Sequence, residues 1–243
     1  MVQFVARSVF GLVLLVAWVL PGAAQGIGPD RRHNEPGQFA FYVLSLSWSP
    51  SFCAAAAERS RGRVPGRECG TAGYSFIVHG LWPQYAKGFP QFCQVPAPRL
   101  DRALVSAMLD LMPARRLVFD EWSRHGTCSG LSPRVYFATV RSARAAVKIP
   151  PQYRDLQQAR NVTPAAVETA FIAANPGLAP ADVAVACGGK RLTEVRLCLT
   201  KDLKFRACPD VVGHACRRRH LFMPPVFMLR VHGHAAATAG GKG

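Results

Sequence analysis

Hydrophobic and polar positions change period several times along this chain, and the changes outline its elements. Residues 39–48 set aromatic and aliphatic side chains against serines at alternate positions, which predicts a strand. Residues 75–79 form a short apolar run that stops at Gly80. This predicts a buried strand closed by His79, with a tight turn at Gly80. The period then becomes helical: Leu100, Leu104, Met108 and Leu111 predict a helix ending at Pro113. Ser132-Pro133 and Thr163-Pro164 are helix starts, because the hydroxyl caps free amides and proline at the first helical position has no N–H to lose. Leu131 and Tyr136 are spaced to pack across the first of these caps. Val167, Ala170, Phe171 and Ala174 line one face of the second helix, which Asn175-Pro176-Gly177 stops. Strand-like text returns at residues 193–200, where Val195, Leu197 and Leu199 alternate, and again at 225–231. With no internal repeat and no dividing linker, the pattern predicts one α+β domain.

Composition narrows the partner and the compartment. Thirty Lys and Arg against fourteen Asp and Glu in 243 residues give a net charge of +16, which suits a polyanion: nucleic acid, an anionic membrane surface or an acidic glycan. An arginine-biased genome is the competing source of such charge. A 49% hydrophobic content excludes a largely disordered chain. Arg7, the apolar run at residues 9–20 and the small residues Ala23 and Ala24 predict a signal peptide over 1–24; the run is short for a bilayer span. A loose lead-in over 25–38, the domain over 39–231 and a Gly/Ala-rich tail over 232–243 complete the expected organisation. The mature product is expected to be secreted or periplasmic and to leave the membrane after cleavage.

All eight cysteines follow the signal segment. In an oxidising compartment an even number reads as four disulfides, with on the order of a hundred possible pairings. Residues 54–70 read as an exposed, cross-linked loop between two of them. A zinc site would want paired C-x2-C steps and there are none, so no metal and no cofactor are expected.

Two segments carry candidate chemistry. In Phe76-Ile-Val-His-Gly-Leu-Trp-Pro83, a strand end would hold His79 in one orientation, and Trp82 would offer a ring for base stacking. In Phe119-Asp-Glu-Trp-Ser-Arg-His-Gly-Thr-Cys128, a helical turn would bring Glu121, Arg124 and His125 to one face. Cleaving RNA requires taking a proton from the 2′-hydroxyl and giving one to the leaving 5′-oxygen. Two imidazoles can do this when one is neutral and the other charged. A nearby cation stabilises the extra negative charge on the crowded phosphorus.

Both segments resemble the signature stretches of the ribonuclease T2 family, HGLWP and EWxKHGTC, which stand here as His79-Gly-Leu-Trp-Pro83 and Glu121-Trp-Ser-Arg-His-Gly-Thr-Cys128. Further likeness to the bacterial branch lies in Ser129-Gly-Leu-Ser-Pro133, Asn175-Pro-Gly-Leu178 and Leu192-Thr-Glu-Val-Arg-Leu-Cys198. The resemblance implies an antiparallel sheet flanked by helices and a monomeric, metal-independent endoribonuclease of little base specificity. Such an enzyme acts on single-stranded RNA through a 2′,3′-cyclic phosphate to 3′-phosphate ends. By motif position it implies His125 as base, His79 as acid, Glu121 as their support and Arg124 as the phosphate cation. Gln84 and Tyr85, just after Pro83, are candidate base contacts by position alone, and the resemblance makes Trp82 the base-stacking ring. It also implies the disulfides Cys53–Cys69, Cys93–Cys128, Cys187–Cys216 and Cys198–Cys208.

Two departures stand out. Arg124 replaces the usual lysine, a planar fork for a point charge. Asp120 replaces a histidine that binds phosphate in many members, so either it points away or pairs with an arginine, or activity is reduced. The alternative reading is a catalytically weakened, cationic RNA-binding or toxin-like protein of the same fold. A metallohydrolase using His79, His125, His214 or His220 is the third. His214, His220, His232 and His234 read as surface residues; Arg217, Arg218 and Arg219 read as either an RNA contact or a solvated loop.

Overall fold

The computed structural model describes residues 34–61, 67–69 and 73–226. The expected signal peptide, most of the lead-in and the tail lie outside these residues. So does the expected strand at 225–231, apart from its first two residues.

Alternation along Phe41–Trp48 gives strand β1, whose Tyr42, Leu44, Leu46 and Trp48 enter the core. Strand β2, Phe76–Gln84, pairs antiparallel with one edge of β1, and β5, Arg191–Leu199, with the other. Strand β4, Val183–Gly188, extends the sheet antiparallel beyond β5. The short strands β3, Arg160–Val162, and β6, Leu221–Met223, pair with each other and join β5 where Arg191 meets Phe222.

Helices cover one sheet face. The core joins Val105 of α2 (Arg102–Ala107), Val118 and Trp122 of α3 (Arg115–Arg124), and Tyr136, Phe137 and Val140 of α4 (Pro133–Ala146). Val167 and Phe171 of α5, Pro164–Ala174, complete it. Burying one such aromatic or aliphatic side chain contributes about 1.5–3 kcal/mol. The Ser132 and Thr163 hydroxyls accept hydrogen bonds from the backbone N–H of Val135 and Ala166, capping α4 and α5 at the predicted starts. The helix expected to reach Pro113 is shorter, because α2 ends at Ala107 and turns follow.

Two sequence expectations are corrected. Residues 54–70 are not all loop: α1, Ser49–Arg59, carries Pro50 in its first turn and runs through four consecutive alanines, strong helix formers. Nor does β2 stop at His79. It continues through Gly80 to Gln84, and no turn forms there. The four disulfides are Cys53–Cys69, Cys93–Cys128, Cys187–Cys216 and Cys198–Cys208.

Candidate active site

A bulge in β2 places the first histidine. Ser45 pairs with Gly80 and Leu46 with Val78, so His79 is the extra residue with no partner across the ladder. In an unbroken strand, residues three apart point to opposite faces. The inserted residue reverses the alternation beyond it. Val78 and Leu81 therefore both enter the core, while His79 and Trp82 both face the opposite, open side. The outer edge of β2 is tied on either side of the bulge: Val78 N–H donates to Leu111 O at 3.0 Å, and the buried Tyr136 hydroxyl donates to Leu81 O at 2.9 Å.

Gly80 is needed for close approach rather than for a turn. A Cβ there would overlap the Glu121 carboxylate and the Trp82 indole nitrogen. Through that gap α3 brings Glu121 to the edge of the sheet, where its Oε2 accepts the Trp82 indole N–H at 2.6 Å. One helical turn on, His125 closes α3, its N–H donating to Glu121 O at 3.0 Å. The Cys93–Cys128 bridge ties this helix end to the preceding loop and contributes about 3–4 kcal/mol of chain entropy.

Together these residues line a cleft of about 550 Å³, shared by His79, Trp82, Glu121, Arg124, His125 and Glu194. Trp82 lies between the imidazoles, its ring centroid 5.5 Å from that of His79 and 5.3 Å from that of His125. The Arg196 guanidinium sits over the same indole at 5.3 Å, so part of the ring expected to stack on a base already has protein partners. Arg124 reaches the cleft with its Nε donating to Gln91 Oε1 at 2.8 Å. Gln84 lines the cleft, but its amide donates to Pro83 O at 3.0 Å; Tyr85 is not among the lining residues. Of the alternatives expected for Asp120, the structure shows pairing with an arginine: it is exposed, pairs with Arg116 one turn back at 3.3 Å, and does not line the cleft, so it is not a phosphate contact.

Phe89, His214 and Glu194 are among the lining residues that the sequence reading did not place in the site. Phe89, 43% exposed with its ring 6.2 Å from that of His125, is an open aromatic surface in the cleft. His214 is exposed as expected, yet it lines the cleft beside Asp210. Glu194 on β5 is buried, and its Oε1 accepts from His79 Nδ1 at 2.7 Å. Strands β2 and β5 lie on either side of β1, roughly 10 Å apart. The residues of β1 between them on this face are Ser45 and Ser47, small enough for the longer side chains to meet above them. Alternating serines were the visible signal, together with the block Leu192-Thr-Glu-Val-Arg-Leu-Cys198.

The two histidines occupy opposite electrostatic environments. Burial disfavours the charged form of His79, but the Glu194 hydrogen bond and the fields of Glu121, Glu194 and Glu68 outweigh it and raise its pKa. Burial pushes His125 down to about 3, with Arg124 and His79 adding like charge. Its buried Nδ1 has no hydrogen-bond partner among the described residues. Burial also pushes Glu121 up to about 7, against the opposing pull of His79 and the Trp82 N–H. The surroundings therefore favour the charged form of His79 and the neutral form of His125. Among the described residues, no cluster of three or more His, Cys, Asp or Glu is set to hold a metal.

The chain is similar to several known ribonucleases and related proteins. A ribonuclease from Aeromonas hydrophila is 41% identical over 121 residues, 49% of this chain and 48% of its own length. A probable ribonuclease from Haemophilus influenzae is 36% identical over 135 residues, half of each chain. The chain thus spans about half the length of the curated relatives it matches. Among solved structures, an RNase-related protein from Calystegia sepium superposes with a TM-score of 0.59 at 19% identity, covering 76% of this chain and 97% of that one. RNase NT in complex with 5′-AMP superposes with a TM-score of 0.54 at 25% identity, covering 77% and 98%. The profile of the ribonuclease T2 family matches residues 39–208, most of the sequence, and the chain belongs to that family.

Proposed function

We propose that the protein is a metal-independent endoribonuclease that cleaves single-stranded RNA by transphosphorylation. One observation carries the reading: a single cleft holds two histidines of opposite charge preference, one backed by carboxylates and one beside an arginine. Neutral His125 takes the proton of the 2′-hydroxyl as that oxygen bonds to phosphorus. Charged His79 gives a proton to the 5′-oxygen as its bond to phosphorus breaks, leaving a 2′,3′-cyclic phosphate. Arg124 offsets the charge of the phosphorane. Glu121, kept protonated below about 7, donates to a phosphorane oxygen that a carboxylate would repel. In the slower second step the histidines exchange roles, and water opens the cyclic ester to a 3′-phosphate.

Phe89 joins Trp82 as a stacking surface, and stacking tolerates any base, which supports low base specificity. The net charge of +16 draws the polyanion in. Four disulfides support an oxidising compartment, secreted or periplasmic. The weakened, purely RNA-binding alternative drew its support from Asp120, which lies outside the cleft.

A pH–rate profile on a ribodinucleotide with EDTA present tests this reading. Activity requires His125 neutral, so the acid limb is expected near pH about 3. It also requires His79 and Glu121 protonated, so the rate falls as pH rises beyond about 7. Full activity at pH 5 and a steep loss by pH 9 are the expected result. An acid limb at pH 6–7, or loss of activity with chelator, would count against it.

A further inference from the structure

Glu194 lies on a different strand from every residue of the two signature segments, yet its carboxylate is bound on both sides. Oε1 accepts from His79 Nδ1 at 2.7 Å, and Oε2 accepts from Arg196 Nε at 2.9 Å and from its terminal nitrogen at 2.7 Å. The Ser47 hydroxyl stands 3.2 Å from the same His79 nitrogen. A carboxylate only accepts, so Nδ1 must carry a proton. The other ring nitrogen, Nε2, then faces the cleft, 3.6 Å from Glu121 Oε1. It holds a proton when the ring is charged and a lone pair when it is neutral.

We infer that Glu194, gripped by Arg196, is the positioning residue that fixes the tautomer of His79 and holds it charged as the proton donor of the cleavage step. The inference rests on the ribonuclease reading above. The groups facing His79 come from several elements. Glu194 and Arg196 lie on β5, Ser47 on β1, Glu121 and His125 at the end of α3, and Glu68 in the helical turn Arg67–Cys69. Of these carboxylates only Glu194 hydrogen-bonds the ring; Glu121 stands farther off and Glu68 acts through its field. One consequence separates the two chemical steps. A donor held charged favours cyclisation, which needs the proton on Nε2, over hydrolysis, which needs the lone pair.

The test is Glu194→Gln, which keeps shape and removes charge, with Glu194→Asp beside it and thermal unfolding of each recorded. In Glu194→Gln, kcat for dinucleotide cleavage is expected to fall about 10–100-fold. The alkaline limb should move to lower pH by about one unit, and the ratio of cyclic-phosphate hydrolysis to cleavage should rise. Glu194→Asp should lose rate but keep the wild-type limb. A Gln variant with unchanged limb and unchanged step ratio would overturn the inference, since a merely structural role lowers rate without moving either. NMR of the wild-type imidazole needs no variant and no turnover. The inference predicts the Nδ1–H tautomer for neutral His79, and an Nε2–H tautomer would overturn it even if RNA cleavage itself stands. Absence of RNA cleavage by the wild type would instead sink the ribonuclease reading.

Discussion

His125→Ala is expected to reduce kcat on RNA by roughly 10²–10⁴-fold while leaving binding within a few-fold. The ring removed is the one whose surroundings keep it neutral. Burial, Arg124 and His79 all disfavour its charge, and no carboxylate pairs with it among the hydrogen bonds of the cleft. A base is useful only if unprotonated at working pH, and no other lining residue combines neutrality with a place at the end of α3 beside Arg124. His79→Ala is expected to lose a comparable factor by removing the acid. The double variant should be little worse than either single one, because groups acting in one proton relay are strongly non-additive. Steady-state rates on a dinucleotide, with unfolding curves to show that the variants fold, check this. A His125→Ala enzyme retaining a tenth or more of wild-type kcat would exclude that ring as the base.

Gly80→Ala is the second large effect. One methyl group at this position would collide with both the Glu121 carboxylate and the Trp82 indole nitrogen. Both neighbours are themselves held, Glu121 on a helix packed into the core by Trp122, Trp82 by Glu121 and Arg196. The atoms met are side-chain atoms of Glu121 and Trp82, which are hydrogen-bonded to each other, so both must be pushed from their places. Overpacking of this kind costs about 1–3 kcal/mol of stability. It also shifts Glu121 and Trp82 within the cleft, and a displacement near 1 Å costs about 10²-fold in rate. The same change at Gly213, whose Cβ would meet nothing, serves as the control. Activity of Gly80→Ala close to wild type would show that the approach of α3 to β2 does not set the geometry.

Local signals in the sequence were reliable where the physics is local. The Ser132 and Thr163 caps, the stop at Gly177 and the alternation along β1 all depend on neighbours a few residues away. Features that depend on pairing were not legible. Whether β2 ends at His79 or bulges there depends on Ser45 and Leu46, more than thirty residues upstream. The contact between Glu194 and His79 needs three strands in register and two serines in the middle one. Cysteine spacing left the disulfides open, and only the family resemblance proposed pairs. The choice among the alternatives for Asp120 was open for a different reason. Adjacent helical residues point about 100° apart, so its neighbour Glu121 can face the cleft while Asp120 faces solvent and Arg116.

The central claim is that this cleft makes the RNA 2′-oxygen attack its own phosphorus. It is tested most directly by following a ribodinucleotide and its 2′-deoxy analogue with phosphorus NMR, enzyme and EDTA present in both. The ribodinucleotide is predicted to give the 2′,3′-cyclic phosphate first and a 3′-phosphate later, and the deoxy analogue to remain intact. Cleavage of the deoxy analogue, or a 5′-phosphate product from the ribodinucleotide, would contradict the account.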